Sequence, residues 1–309
     1  MKPVDDPGLT RRPFLKCMVW AGIGVAWTIA GGVPRSSLLG EAEAAEDDLT
    51  FVQISDSHIG FSAPPNTDVT GTLGEAVAGV KRLAGQSSFL IHTGDVSHLS
   101  RSGQFDTAEQ VIRGAGLETH YVPGEHDVLE DDGKAFFERF TKGAAAGYYS
   151  FDQRGVHFIG LNNVQDLRAG GMGTLGTTQL EWLRKDLAGR PASQPIVVFA
   201  HIPLWTVYEA WGWGTQDAVQ ALSYLARFGS VTVLNGHIHQ VMQKVEGHVA
   251  FHTAMSTAFP QPAPGTAPGP GPIRDLPPGQ LHSVLGITSV RRVAGKARLA
   301  VVDTPLSSV

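Results

Sequence analysis

Short apolar runs alternate with amphipathic segments along most of this chain, and this alternation constrains the fold more than any other feature. Six runs have the pattern of buried strands: Thr50–Ser55, Phe89–Thr93, Thr119–Pro123, Val156–Leu161, Ile196–Ala200 and Val231–Asn235. Five segments have the pattern of helices: Thr72–Ala84, Phe105–Arg113, Lys134–Thr141, Thr178–Leu187 and Gln216–Arg227. Alternating strands and helices predict an α/β fold. In such folds ligands bind where loops leave the carboxyl ends of the strands.

Clusters of metal-binding side chains follow five of these predicted strands. They are Asp56-Ser57-His58, Gly94-Asp95, Gly124-Glu125-His126-Asp127, His201 and Gly236-His237-Ile238-His239. Side chains in an extended segment alternate with a period of two, so Asp56 and His58 are expected on one side. A lone histidine is more often a packed core residue, but five clusters after five strands favour a site for two borderline-hard metal ions. Such a pair can clamp a phosphate ester and make hydroxide from water at neutral pH.

The charge balance argues against a nucleic-acid partner. The net charge is −5 at pH 7, and no cluster of lysine or arginine follows the N-terminal region, so phosphate neutralisation is not expected. The 309 residues are 42% hydrophobic, which allows one large domain or two small ones. Because no internal repeat occurs and no nucleotide-binding motif indicates a second domain, we predict one catalytic domain.

The first 45 residues have the composition of an export signal. Thr10–Lys16 contains paired arginines, an uncharged stretch follows from Cys17 to Pro34, and Ala42-Glu43-Ala44 offers a cleavage site. We therefore predict a twin-arginine signal peptide at 1–45 and a periplasmic or extracellular location reached through the twin-arginine export machinery. The alternative is an uncleaved Cys17–Val33 that anchors the protein in a membrane. Cys17 is the only cysteine, so metal binding in the mature chain has to rest on histidine and carboxylate groups.

The C-terminal third has a different pattern. Val241–Glu246 and Val249–Thr253 predict one β-hairpin, and Val284–Val290 with Ala297–Asp303 predict another. Between them, Phe259–Gln280 is dense in proline and glycine, which excludes a buried strand or helix. We predict a surface loop there rather than a separate domain.

In their order along the chain, the clusters match the pattern Asp-x-His, Gly-Asp, Gly-Asn-His-Asp/Glu, His, Gly-His-x-His, with one departure. From about Leu49 to Val302 the chain therefore resembles the calcineurin-like metallophosphoesterases, and most of all their bacterial phosphodiesterase branch with Gly-His-x-His. The resemblance implies a two-sheet βαβ sandwich flanked by helices at 46–305, and hydrolysis of phosphomono- or phosphodiesters. His98 stands where purple acid phosphatases have a tyrosine, so no tyrosinate-to-iron colour is implied.

The same resemblance implies two metal ions and their ligands. The first ion is assigned to Asp56, His58, Asp95 and His239. The second is assigned to the bridging Asp95 with Glu125, His201 and His237. The ions would lie roughly 3.5–4 Å apart and share a hydroxide aimed at phosphorus. His126 is expected to donate a proton to the leaving alkoxide or to stabilise its charge, and Asp127 to orient His126.

Glu125 is the departure, because the family has asparagine there. Glutamate is anionic and one methylene longer. Two divalent ions with two aspartates and a hydroxide keep one net positive charge, which a third carboxylate cancels. A trivalent iron in one position restores that charge, so we expect iron with manganese or zinc, or else a Glu125 that swings away from the metal.

Several interpretations remain open at this stage. The aromatic segment Leu204–Gly214, after His201, either packs its loop against the sheet or stacks on a substrate. The histidines outside the clusters are expected to be structural, with His98 and His252 the two worth testing. Besides an exported phosphoesterase, the sequence allows a metal-binding protein without turnover and a membrane-tethered interaction protein.

Overall fold

The computed structural model describes residues 24–30, 33–39, 49–83, 87–144, 146–167, 171–292 and 298–309. The chain divides into two compact units, Met1–Ala45 and Glu46–Val309. In the first unit, strands β1 (Gly24–Ala30) and β2 (Val33–Leu39) pair antiparallel.

Two parts of the predicted export signal, Thr10–Lys16 and Ala42-Glu43-Ala44, lie outside the described residues. Among the helices that the structure describes, none combines the length and the apolar character needed to cross a bilayer.

The second unit alternates strands and helices, as the sequence predicts. Its strands are β3 (Leu49–Ile54), β4 (Leu90–His92), β5 (Thr119–Tyr121), β6 (Tyr149–Gln153), β7 (Val156–Gly160), β8 (Ile196–Phe199), β9 (Val231–Asn235), β10 (Met242–Glu246), β11 (Val249–Thr253), β12 (Gly286–Arg292) and β13 (Ala300–Pro305). Its α-helices are α1 (Val69–Leu83), α2 (Ser102–Arg113), α3 (Lys134–Phe140), α4 (Gly176–Leu187), α5 (Ala218–Leu225) and α6 (Leu281–Val284).

These strands form two sheets. The first has the order β13-β12-β3-β4-β5, and the second has the order β10-β11-β9-β8-β7-β6. Strands β3, β4 and β5 are parallel, and so are β7, β8, β9 and β11. Because parallel strands end at the same edge of a sheet, the loops that carry the predicted ligands gather at one edge of each sheet.

Apolar side chains from the two sheets meet in a core between them. The first sheet contributes Phe51 on β3 and Phe89 directly before β4, and the second contributes Phe158 on β7 and Phe199 on β8. All four side chains are buried. The rings of Phe51 and Phe158 pack edge to face, 5.3 Å apart. Helices α1 to α3 cover the outer face of the first sheet, and α4 and α5 cover the second. The two-sheet sandwich flanked by helices is confirmed.

Two local features differ from the sequence predictions. Strand β6 was not predicted, because Tyr149 and Phe151 alternate with the polar Ser150 and Asp152 and the segment has no continuous apolar run. Helix α4 begins at Gly176, two residues before the predicted start at Thr178. The carboxylate of Asp217, from a distant segment, accepts the backbone N–H of Gly176 at 2.8 Å. A tertiary hydrogen bond therefore caps this end of the helix.

The C-terminal hairpins form as predicted. Strands β10 and β11 pair antiparallel, as do β12 and β13; residues 293–297 lie outside the described part of the chain. Strand β12 also pairs with β3, so this hairpin completes the first sheet. The described residues of Phe259–Gln280 contain neither helix nor strand, which agrees with their proline and glycine content.

Candidate metal centre

Loops at the carboxyl ends of five strands bring the predicted ligands into one cluster. The order is Asp56 and His58 after β3, Asp95 after β4, Glu125 after β5, His201 after β8, and His237 and His239 after β9. His201 lies centrally, because its Nε2 is 2.9 Å from Glu125 Oε2 and 3.3 Å from Asp95 Oδ2. All seven predicted ligand residues thus meet, although they come from positions nearly two hundred residues apart.

Three of these residues form a first group, which is buried. His239 Nε2 is 3.2 Å from Asp56 Oδ1 and 3.2 Å from His58 Nε2. The three side chains offer one carboxylate oxygen and two imidazole nitrogens within 4.8 Å of one another. That donor set suits one borderline-hard cation.

A second group consists of Glu125, His201 and His237. Both oxygens of Glu125 face imidazole nitrogens, Oε1 at 3.0 Å from His237 Nδ1 and Oε2 at 2.9 Å from His201 Nε2. Glu125 therefore lies inside the group in this structure and does not swing away from it.

Asp95 lies between the two groups. Its Oδ2 is 3.4 Å from His58 Nε2 in the first group and 3.3 Å from His201 Nε2 in the second. A carboxylate in this position can bridge two ions.

The donor atoms of the second group fit a metal ion better than they fit one another. Glu125 Oε2 and His201 Nε2 are buried and find no hydrogen-bond partner of suitable geometry among the described residues. Buried polar atoms without partners cost free energy. Cations bound here would satisfy these atoms and neutralise the buried carboxylates.

Backbone carbonyls orient two of the imidazoles. His201 Nδ1 donates a hydrogen bond to the Thr93 carbonyl at 2.7 Å, and His239 Nδ1 donates one to the Phe259 carbonyl at 2.6 Å. Since Nδ1 carries the proton in both rings, Nε2 keeps its lone pair for a metal.

The ligand loops also store backbone strain. Five of the seven ligand residues have positive φ angles: Asp56 54°, His58 41°, Asp95 53°, His237 70° and His239 54°. Each such conformation costs a non-glycine residue on the order of 1 kcal/mol and persists only where the surroundings enforce it. Strain of this kind is concentrated at functional sites.

Two glycines of the clusters allow the loops to approach one another. A Cβ on Gly94, whose φ is 96°, would lie 2.6 Å from Nδ1 of His201 and 2.7 Å from the backbone nitrogen of Gly124. A Cβ on Gly124 would overlap the carboxylate of Asp95. Both positions therefore need glycine for the cluster to assemble.

The charges of the cluster shift several pKa values. Burial opposes ionisation of Asp56, but His239 and His201 outweigh it and hold the pKa of Asp56 at about 2. Burial likewise opposes ionisation of Glu125, yet His237 and His201 keep its pKa well below the usual range. The site therefore keeps anionic oxygens, which attract cations, although it is buried.

His126 lies beside the cluster, with a ring nitrogen within 4.8 Å of the carboxylate oxygens of Asp95 and Glu125. Burial disfavours its charged form, but the negative charges of Asp95 and Glu125 outweigh this and raise the pKa of His126. Its Nδ1 donates a hydrogen bond of 2.7 Å to the carbonyl of His98. The proton available to a substrate is therefore the one on Nε2.

The predicted role of Asp127 needs correction, since the His98 carbonyl orients the His126 ring. The Asp127 carboxylate accepts hydrogen bonds from the backbone N–H groups of Val96 (3.0 Å), Ser97 (2.8 Å) and Gly124 (3.1 Å). Asp127 therefore joins the loops after β4 and β5 and acts on their backbone.

His98 lies in the site, although the sequence analysis expected it to be a structural histidine. Its Nδ1 is 3.3 Å from Nδ1 of His58, and its ring stacks on His126 with centroids 4.9 Å apart. Burial and the neighbouring His126 lower the pKa of His98. The signal available in the sequence was its position, three residues after Asp95.

The aromatic segment after His201 packs its own loop. Trp213 is fully buried in a small cluster with Trp211 and Ile238, the residue between the ligands His237 and His239. The Trp213 indole therefore packs against the loop that carries these two ligands. Of the two roles that the sequence left open for this segment, packing and substrate stacking, the structure shows packing.

The proline- and glycine-rich segment begins within the site. Besides the Phe259 carbonyl that holds His239, the Gln261 side chain donates a hydrogen bond of 2.8 Å to the His237 carbonyl. The Phe259 ring is buried and stacks on His58 at 4.8 Å. The first residues of this surface loop are thus part of the metal centre.

Comparison with known proteins decides the family. The family model for calcineurin-like phosphoesterases matches residues 49–241, a span that carries all seven clustered ligands. The chain belongs to the calcineurin-like phosphoesterase family. The structural relatives bear out the metallophosphoesterase fold.

The chain is also similar to three individual proteins. A probable cyclic nucleotide phosphodiesterase of Rhodopseudomonas palustris is 27% identical over 164 residues, which are 50% of this chain and 57% of that protein. Purple acid phosphatase 22 of Arabidopsis thaliana is 33% identical over 97 residues, which are 30% of this chain and 20% of that protein. A dimetal phosphatase of Danio rerio shares the fold with a TM-score of 0.56 and 14% identity, covering 82% of this chain and 98% of that one.

Proposed function

We propose that this protein is a phosphoesterase that uses two metal ions to hydrolyse a phosphomonoester or phosphodiester. The observation that carries the proposal is the position of Asp95 Oδ2, within 3.4 Å of an imidazole of each ligand group. The names of the similar proteins, a phosphodiesterase and two phosphatases, support the same reaction class.

Two bound ions supply Lewis acidity, which activates water and neutralises the phosphate oxygens. The chain's own contribution is to fix the donor atoms and to supply a proton. His126, held on the His98 carbonyl through Nδ1, presents Nε2–H beside the cluster. We assign it the protonation of the leaving alkoxide.

Hydrolysis assays test the proposal directly. The purified protein should hydrolyse p-nitrophenyl phosphate or its bis-ester, lose the activity to a chelator and regain it when metal is added. The variant Asp95→Asn keeps the size of the side chain but removes the bridging charge, and it should lose turnover. A wild-type protein that binds two ions and hydrolyses no ester of a broad panel would instead be a metal-binding protein without turnover.

We further propose that one of the two ions is iron, paired with manganese or zinc. Glu125 supports this assignment, because its carboxylate lies in the second group and adds a third negative charge to the two aspartates. A trivalent ion balances that charge. Metal analysis of the protein as purified tests this: two equivalents of zinc or manganese without iron contradict the proposal, as does Glu125→Asn with unchanged metal content and rate.

The substrate is expected to be a phosphate ester whose leaving group contacts the loops around the cluster. Phe259 and Gln261 support such a role for the loop Phe259–Gln280, because they join it to the ligands. A substrate panel of nucleotides, cyclic nucleotides, phospholipid head groups and phosphopeptides identifies the ester. The ratio of kcat/KM between mono- and diesters then separates the two reaction classes.

We propose separately that the protein is exported through the twin-arginine route, on the evidence of Arg11 and Arg12, the uncharged stretch after them and the cleavage site Ala42-Glu43-Ala44. We expect the mature protein outside the cytoplasmic membrane with its N-terminus near residue 46. Replacing both arginines with lysine should retain the precursor in the cytoplasm. N-terminal sequencing of exported protein that still begins with the first residues would instead indicate an uncleaved membrane anchor.

A further inference from the structure

The metal-facing imidazoles of the cluster need hydrogen-bond acceptors for their second nitrogen. A ring that binds a metal through Nε2 carries its proton on Nδ1, and the acceptor of that proton fixes the ring. For His201 and His239 the acceptors are backbone carbonyls, those of Thr93 and Phe259. Backbone acceptors of this kind are not removed by side-chain substitution.

His58 differs, because its acceptor is another side chain. Its Nε2 lies with the donor atoms, 3.2 Å from His239 Nε2 and 3.4 Å from Asp95 Oδ2. Its Nδ1 lies 3.3 Å from Nδ1 of His98. Two N–H groups cannot hydrogen-bond to each other. If Nε2 of His58 holds a metal, Nδ1 of His98 therefore has to be the acceptor, and the proton of His98 sits on its Nε2.

We propose that His98 is a positioning residue, whose Nδ1 accepts the proton of His58 and so fixes the ring that binds the ion of the first group. The proposal rests on the function proposed above, because it requires that the first group binds metal.

The surroundings of His98 hold its ring in the required orientation. Its backbone N–H donates a hydrogen bond of 3.0 Å to the Ile59 carbonyl, which ties the loop after β4 to the loop after β3. Its ring stacks on His126 and packs edge to face on Phe61 at 5.3 Å. Through its carbonyl it also holds His126. One residue thus orients a metal ligand by its side chain and the proton donor by its backbone.

Two substitutions separate the acceptor from the ring. His98→Phe keeps an aromatic ring of similar shape but removes the nitrogen acceptor. His98→Asn loses the ring but places an amide oxygen close to the position of Nδ1. As a matched control, His120→Phe makes the same change at a ring on β5 that stacks on Phe151 of β6, outside the cluster.

Metal affinity is the deciding readout, and it does not depend on turnover. The metal-free proteins are titrated with Zn²⁺ against a chromophoric chelator. We expect His98→Phe to bind one of its two ions about 10–100-fold more weakly, while His98→Asn and His120→Phe stay within about threefold of wild type. Melting curves establish that all variants fold. In the zinc-loaded wild type, long-range ¹H–¹⁵N spectra should show His98 protonated on Nε2.

Several results would overturn the assignment. Equal losses in His98→Phe and His98→Asn would mean that the ring acts by packing alone, and unchanged affinity in both would mean that His58 needs no partner. A His98 protonated on Nδ1 in the zinc-loaded protein would also refute it. Two tightly bound ions without hydrolysis of any ester would defeat the proposed function and leave the role of His98 intact, whereas a wild type that takes up no ion would defeat both.

Discussion

We expect the buried imidazole of His120 to make the folded protein less stable as the pH falls below about 6.5. This ring stacks on Phe151 with centroids 3.9 Å apart and an interplanar angle of 13°, and its side chain is 11% exposed. Burial, offset only in part by Glu118, lowers the pKa of His120 from 6.5 to about 4. The folded state therefore holds the ring uncharged at mildly acid pH.

The size of the effect follows from the two pKa values. In the unfolded chain the ring is in water and its pKa returns to the ordinary value, so between pH 6.5 and about 4 the unfolded state binds more protons than the folded state. Stability consequently falls as the pH falls through this window. At about pH 5 the loss amounts to about 2 kcal/mol, and it vanishes above about pH 7.5.

Urea denaturation of the wild type and of His120→Phe at about pH 7.5 and about pH 5, with the same metal loading, measures this loss. The phenylalanine keeps the stacked ring but cannot take up a proton. The wild type should therefore lose about 2 kcal/mol more than the variant between the two conditions. An equal loss in both proteins would refute the reasoning, since other titrating groups, including those of the metal centre, contribute equally to both.

Three further predictions concern the metal centre itself. Gly94→Ala should lower the free energy of unfolding by about 2 kcal/mol or more and release metal on dialysis, because the new Cβ would lie 2.6 Å from Nδ1 of His201. The control Gly103→Ala in α2, which has open space around it, should raise the free energy of unfolding by about 0.5–1 kcal/mol. Melting curves and metal analysis compare the two variants. His126→Ala should slow esters with poor leaving groups by about 10²–10⁴-fold and activated esters much less, and an equal slowing of both series would exclude its role as an acid. Removing the ions with a chelator should lower the melting temperature. Adding metal back to 100 times its dissociation constant should raise the free energy of unfolding by about 2.7 kcal/mol. An unchanged melting curve would mean that the ligand groups bind no metal.

The sequence predicted the layout of the fold and the membership of the metal cluster because both depend on order along the chain. A run such as Val231–Asn235 has to be buried, and the residues after it have to lie at the end of a strand. Parallel pairing then brings His237 and His201 together without any knowledge of their distance. The place of Asp95 between the two groups was implied by the family resemblance and not by strand order.

Features that depend on contacts distant in sequence could not be predicted in this way. The N-terminus of α4 is capped by Asp217, some forty residues away, and no local sequence pattern predicts this contact. Asp127 follows His126 directly, yet its carboxylate faces the loop after β4. Likewise the position of His98, three residues after Asp95, does not reveal that its ring lies beside His58.

The attachment of Phe259 and Gln261 to the ligand loop limits how the proposed specificity of this protein can be redesigned. A chimera that exchanges the whole segment would remove the Gln261 hydrogen bond to the His237 carbonyl and would alter the backbone whose carbonyl holds His239. If the exchanged segment instead begins after Pro262, Phe259 and Gln261 both stay in the parent protein. Variants recombined at that junction are the ones in which a change of the proposed ester preference can be selected without rebuilding the metal centre.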